Sequence, residues 1–521
     1  MRSLADAYRD EAPALTPLYA GSPRSIFAPE TNRVAPADWN PELVAALRAY
    51  QREIGLEPRF TGREAVIVTG QQPGLFTGPL YTVYKALTAV KLAARLEQTH
   101  GVPVVPVFWL GSDDHDFEEA RRVGVLTRRH EPLMLTYSPR QSVDGLPLYR
   151  VPVEDSLHEL VDALREAAPG SERADDVAAF LHGSLDGADS FSAWTARLLA
   201  RLFRDTPLVV FEPRLPAARR IAAGVFAREI ERPLASTVLV REAARRIEAL
   251  GFSPQLLKGP TECNFFVEIA GRRRKVVFEE GVFKSPEEGA SWSQAELASL
   301  LEHAPERLSA NVALRCIVQQ ALFSATAYVA GPGEIAYWAQ LKEVFAFFEQ
   351  PMPIVYPRAR VMLTTTKLRK LLEKFQWRAA DLFESPDVLL NRALAAAVRH
   401  PGLDILTRDG ETVLGAVEAL AYALRAMVAS GPPLDAVNAL GDKTRAELER
   451  IERLLRRADE AQVDAVGKQV ARLCNALAPG RKPQDRVYTV FSFLFEHGWD
   501  LMPRLLEAID IGAFATTEVE L

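Results

Sequence analysis

Apolar positions follow two rhythms along this chain. Residues 65–69 and 102–110 are short runs apolar on both faces, as in strands buried between helical layers, and residues 80–96 between them repeat at helical spacing. Strand, loop, helix and strand in succession predict a parallel α/β core. Residues 41–54 form an amphipathic helix within an opening segment of helices and proline-rich turns that runs to about Gly62. Residues 134–137 read as strand-like within a segment, 125–205, that alternates strand and helix and looks inserted. Residues 208–211 resume the sheet, an arginine-rich helix or helix pair reaches Leu250, residues 265–278 read as a hairpin turning at Ala270-Gly271, and 325–329 is another strand.

From about Lys367 to Ala478 the pattern changes to helix formers with few aromatics, punctuated by turn signals at Pro401-Gly402, Asp409-Gly410 and Gly431-Pro432-Pro433. Leu448, Ile451, Leu455 and Ala458 keep 3-4 spacing, and Val463, Val466, Val470, Leu473 and Leu477 resume it after a phase slip. Such a stripe calls for a partner helix, from a second copy or from the same chain. The organisation expected is a core in two parts, 1–124 and 206–366, with 125–205 inserted, a helical coiled-coil domain at 367–480, and a final segment, 481–521, returning to the core.

Composition narrows the function. With 521 residues, 48% of them hydrophobic and 25% charged, the chain has the balance of a large globular enzyme. Its 62 Lys and Arg are dispersed among 68 Asp and Glu, a net charge of −6, which disfavours extended nucleic-acid binding. The first thirty residues lack a signal-peptide pattern, and no apolar run is long enough to span a bilayer, so a cytoplasmic location is expected. Cys263, Cys316 and Cys474 are far apart and odd in number, which suits a reducing compartment and predicts no structural zinc.

Three turns carry candidate chemistry. The first, Gly70-Gln71-Gln72-Pro73-Gly74-Leu75-Phe76-Thr77-Gly78-Pro79-Leu80-Tyr81, joins a strand to a helix N-terminus, where glycines and unpaired N–H groups can admit an anion. It matches neither G-x-G-x-x-G nor the P-loop. Lys85 shares a helix face with Tyr81 and can offset phosphate charge, although a tight turn with a solvated lysine would look the same. The second is Asp113-Asp114-His115-Asp116, followed by Glu118 and Glu119, beyond the carboxyl end of a buried strand. Asp113, Asp114 and Asp116 can hold Mg²⁺, or acid and imidazole can serve an incoming amine, and the plain alternative is an acidic first helical turn. The third is Gly331-Pro332-Gly333-Glu334 leading into Tyr337 and Trp338: Glu334 can meet an ammonium or hydroxyl and the aromatics a ring, or they can simply pack. No G-x-S-x-G elbow and no cysteine beside a histidine offers a covalent acyl carrier.

Three stretches together, TGQQPGLFTGPLYTVYK (69–85), VVPVFWLGSDDHDFEE (104–119) and AGPGEIAYWAQLKEVF (330–345), with Arg486-Val487-Tyr488, Phe491, Leu501 and Leu505 near the end, resemble the cysteine ligases of bacillithiol biosynthesis, BshC. The resemblance spans nearly the whole chain in order. It implies a Rossmann-like core akin to class I aminoacyl-tRNA synthetases, connective-peptide insertions, and a coiled coil that pairs two copies. It also implies addition of cysteine to glucosaminyl-malate through an amide bond. Because a free carboxylate opposite an amine forms a salt pair, activation by a nucleotide, ATP or ADP, is expected, with Mg²⁺ at the Asp113–Asp116 cluster as an additional candidate. Carried over residue by residue, the resemblance makes Lys85, Asp113, Asp114, His115 and Asp116 candidate catalytic groups. Gly70, Gln71, Gln72, Gly74, Thr77, Gly78, Tyr81, Gly331, Gly333, Glu334, Tyr337 and Trp338 become candidate binding groups. The chain departs from the family at Cys316 and Gln320, where a proline and an aspartate are usual, in what reads as a strand before the third turn. Two other readings compete: a metal-dependent hydrolase or nucleotidyltransferase centred on Asp113–Asp116, and a nucleotide-sensing coiled-coil scaffold.

Overall fold

The computed structural model describes residues 3–28, 34–168, 170–397, 401–428 and 431–521. The chain divides into two compact units, Met1–Leu363 with Gln484–Leu521, and Thr364–Pro483.

The first unit is built on five parallel strands: β1 (Ala65–Gln71), β2 (Val104–Leu110), β3 (Val209–Phe211), β4 (Ala327–Ala330) and β5 (Ile354–Pro357). Their order across the sheet is β3-β2-β1-β4-β5, and every neighbouring pair is parallel. The chain therefore runs outward from β1 to β3, returns to the other side of β1, and runs outward again. The reversal falls between β1 and β4, where an open α/β sheet leaves a crevice at its carboxyl edge. The strands are apolar throughout because both faces are covered. Val66, Val68, Val107, Trp109, Phe211 and Tyr328 share one core with α2 (Pro216–Glu231) and α3 (Val312–Phe323), while α1 (Tyr81–His100) packs on the other side of β1 and β2.

Two insertions extend this sheet. Between β2 and β3 lie an antiparallel pair, Arg122–Leu126 with Pro132–Thr136, and helices Ser156–Ala167, Ala174–Leu185 and Phe191–Phe203. Between β3 and β4, α2 and Ala235–Ala249 precede a second, five-stranded sheet containing the expected hairpin, Glu262–Ile269 with Arg272–Glu279. Its turn residues, Ala270 and Gly271, have φ of 49° and 78°, the left-handed pair that a two-residue hairpin needs.

Two local expectations are corrected. Residues 315–320 lie in α3 rather than in a strand. Asn311 caps this helix by accepting from the backbone of Ala313 and Leu314, and that start signal outweighs the strand preference of Ile317-Val318. In the second unit Asp409-Gly410 is no turn but lies within helix Pro401–Arg425. Gly410 faces Leu448, whose methyl carbons are 3.5 Å from where a Cβ would stand, so the glycine lies at a helix–helix contact.

Gly431, at φ 122°, does start the 46-residue helix Pro432–Leu477. Along it Val466, Val470, Leu473 and Leu477 are buried, Ile451 and Val463 are exposed, and the side chain of Ala458 lies outside the described residues. Among the described residues no helix is long and apolar enough to cross a membrane.

Candidate functional site at the sheet's carboxyl edge

The crevice between β1 and β4 is filled by charge. Lys85, on the first turns of α1, is 4% exposed in its side chain and ion-pairs with Glu334 at 2.5 Å. It also donates to Gly70 O at 2.8 Å and to Gln71 Oε1 at 2.9 Å. One ammonium thus ties the first turn to the third with all three of its donors. Burial lowers the Lys85 pKa, and the facing Glu334 carboxylate works against that shift. Glu334 in turn accepts from Gly331 N at 2.7 Å and from the Tyr328 hydroxyl at 2.6 Å. Arg358 stands beside Gly331 and is paired at 2.7 Å with Asp485, both nearly buried.

The first turn divides into a buried part and a rim. Gly74, Leu75, Phe76, Thr77 and Gly78 are buried. The returning C-terminal segment seals them: Leu80 N donates to Tyr488 O at 2.8 Å, and Thr489 Oγ1 donates to Phe76 O at 2.8 Å. Gly70 is required by close approach, since a Cβ there would lie 2.7 Å from Trp109 O. Gly78, at φ 73°, closes the turn, and α1 begins at Tyr81, two residues after Pro79. Gln71, Gln72 and Tyr81 form the rim. The Tyr81 hydroxyl, 3.5 Å from Gln71 Nε2, is pushed up to about 12 by burial and by Glu119, with Glu334 adding to the shift.

The acidic cluster lies beyond β2, joined to the first turn where Gly111 N donates to Gln71 O at 2.9 Å. Its four residues are engaged with partners inside the protein, and Arg273 lies within reach of both Asp114, at 3.9 Å, and His115. Asp113 pairs with the buried Arg219 of α2. Asp114 Oδ1 accepts the backbone N–H of His115 at 2.7 Å and of Asp116 at 3.2 Å. Asp116 caps the short helix Phe117–Ala120 by accepting from Glu119 N, as the plain alternative for this run supposes. Among the described residues no three His, Cys, Asp or Glu side chains are grouped as metal ligands, so Asp113, Asp114 and Asp116 present no ready-made site for Mg²⁺.

Arg273, from the second sheet, donates to His115 Nδ1 at 3.2 Å while lying 3.8 Å from the Phe266 ring centroid. A guanidinium can only donate, so Nδ1 accepts and the imidazole proton sits on Nε2. Burial, then Arg273, lowers the His115 pKa from 6.5. His115 is therefore a neutral ring offering an Nε2 donor.

In the third turn Gly331 sits among charge: a Cβ there would meet Glu334 Oε2 at 3.4 Å and Arg358 Nε and Lys85 Cε at 3.8 Å. Gly333 faces open space. Trp338 is wholly buried, its ring stacked on Tyr328 at 4.7 Å and on Phe345 at 5.5 Å, so it packs the core. Tyr337, 7% exposed, accepts from Arg315 Nη2 at 3.0 Å.

The residues that local sequence missed are the partners: Arg219, Arg273, Arg315, Arg358, Asp485 and Glu212. Glu212, at the end of β3, is 2% exposed, accepts from the Ser112 hydroxyl, and has its pKa raised by burial. Buried charges need partners, but those partners come from distant segments that no local spacing connects.

Comparisons with known proteins show the family. Residues 2–359 match the N-terminal Rossmann-like domain of bacillithiol biosynthesis BshC, and residues 361–520 match its C-terminal coiled-coil domain. Three relatives carry the name "Putative cysteine ligase BshC". The one from Salinibacter ruber is 33% identical, covering 85% of this chain and 80% of its own. That from Symbiobacterium thermophilum is 31% identical over 90% and 87%. That from Heliobacterium modesticaldum is 32% identical over 94% and 92%. A Rossmann-like sheet with its charged switch point, followed by a coiled-coil domain, thus occurs in a chain that belongs to the BshC family of bacillithiol biosynthesis.

Proposed function

We propose that this chain is a cysteine ligase that joins the carboxylate of cysteine to the sugar amine of glucosaminyl-malate, forming the amide that completes bacillithiol. The observation that carries this reading is the family match across residues 2–359 and 361–520, with relatives named as cysteine ligases. A free carboxylate facing an amine forms a salt pair rather than an amide. A nucleotide, when bound, supplies the leaving group that the carboxylate lacks.

The chain's own residues divide the remaining work. Around Gly331, Lys85, Arg315 and Arg358 outnumber Glu334 and Asp485, leaving positive charge where anionic oxygens would collect. Asp114, whose side chain is 38% exposed, is the acid positioned to receive the proton of the attacking amine, and His115 donates from Nε2. No step is assigned to a metal.

The test is incubation of the purified full chain with cysteine, glucosaminyl-malate and ATP, followed by mass spectrometry. The expected result is a new thiol of the mass of bacillithiol with nucleotide consumed in proportion, and slower formation in Asp114→Asn. Intact substrates and intact nucleotide would overturn the reading.

A further inference from the structure

Among the described residues Arg315 is a cation with no acid in direct contact. It rises from α3 over the sheet, with its guanidinium carbon 5.8 Å from the Trp109 ring centroid on β2 and 5.4 Å from the Tyr328 ring centroid on β4. β1 runs between those two strands, and there Gly70, paired with Trp109, presents no side chain. Every hydrogen-bond acceptor around the guanidinium is neutral: Tyr337 hydroxyl at 3.0 Å, Tyr328 hydroxyl at 3.3 Å, Gln319 Oε1 at 3.3 Å and Cys316 Sγ at 3.5 Å. The nearest acid, Glu334, is reached only through Tyr328, and its charge is already taken by Lys85. Gln319, 0% exposed, adds an Nε2 with no partner.

A half-buried guanidinium is costly unless it is paired, and among the described residues the more deeply buried cations of this edge have their acids, Arg273 lying 3.9 Å from Asp114. Arg219 has Asp113 and Arg358 has Asp485. Arg315 keeps some exposure to solvent, so its partner can arrive from outside.

We propose that Arg315 is the docking point for a substrate carboxylate at the β1–β4 crevice, with the fork of the guanidinium meeting the two carboxylate oxygens. This rests on the ligase reading for the identity of the substrate, though not for the existence of the site. Both proposed substrates carry the chemistry: the malyl group of the acceptor and cysteine itself. Lys85, Arg219, Arg273 and Arg358 each have an acid within ion-pair distance, so the charge that an arriving carboxylate cancels is that of Arg315.

The experiment is calorimetric titration of the full chain with L-malate and, separately, with L-cysteine, for wild type, Arg315→Gln and Arg315→Lys. The expected result is that one of the two probes binds wild type and loses roughly ten- to a hundredfold in affinity in Arg315→Gln, with partial recovery in Arg315→Lys. The probe affected identifies the source of the carboxylate. Because Arg315 also holds Tyr337, Tyr328 and Gln319, Arg315→Gln should lower the melting temperature modestly as well as weaken binding; a purely structural arginine would lower it and leave binding unchanged. Equal affinity of wild type and Arg315→Gln for both probes, or no binding of either by wild type, overturns the proposal. The product assay separates the two readings. Thiol formation with unchanged KM values in Arg315→Gln removes this site and leaves the ligase, whereas probe binding lost in Arg315→Gln with no thiol from wild type does the reverse.

Discussion

Lys85 spends its donors inside the protein, on Gly70, Gln71 and Glu334. Removing it leaves a mostly buried carboxylate with its charge uncancelled, so Lys85→Met should destabilise the first unit by about 3 kcal/mol. Lys85→Met with Glu334→Gln should cost less than the sum of the two single changes. Denaturant midpoints of the four proteins check this, and strict additivity would show that the pair is not coupled. His115 gives a pH prediction. Its folded pKa lies below 6.5 because of burial and Arg273. Between that folded value and 6.5 the unfolded chain holds the extra proton, so stability falls as pH is lowered through this window. In an NMR titration His115 should change below 6.5, and Arg273→Gln should move the midpoint upward; a wild-type midpoint above 6.5 would contradict the neutral ring assigned here.

The element scale shows how far local pattern reaches. The strands at 65–71 and 104–110 and the hairpin about Ala270-Gly271 were legible, because alternation, apolar runs and turn chemistry are local signals. Asp409-Gly410 reads as a turn, yet it lies inside a helix because Leu448 packs against the glycine. A methyl group at that position would make ordinary contact at 3.5 Å. Gly410→Ala should therefore stabilise helix Pro401–Arg425 by roughly 0.5–1 kcal/mol. Slower amide exchange along that helix is the readout, and faster exchange would mean that the contact tolerates no added carbon. The converse case is Gly70, where Ala would press on Trp109 O at 2.7 Å. Gly70→Ala should lower stability by about 1–3 kcal/mol, seen as a lower melting temperature.

For the whole molecule, the site was legible as three turns but not as a charge arrangement. Gly70, Asp113 and Gly331 could be placed at strand ends from sequence, and the β3-β2-β1-β4-β5 order does bring those ends to one edge. What sequence could not supply was pairing: that Lys85 would face Glu334, that Asp113 would meet Arg219, and that Arg315 would have no acid in direct contact among the described residues. These depend on segments a hundred or more residues apart. The central claim is that substrate binds at the carboxyl edge between β1 and β4. A structure of the full chain with glucosaminyl-malate tests it most directly. The expected result is a carboxylate or the sugar amine within hydrogen-bond distance of Arg315, Gln71 or Gly331. Ligand seated elsewhere, with that edge unchanged, would contradict it.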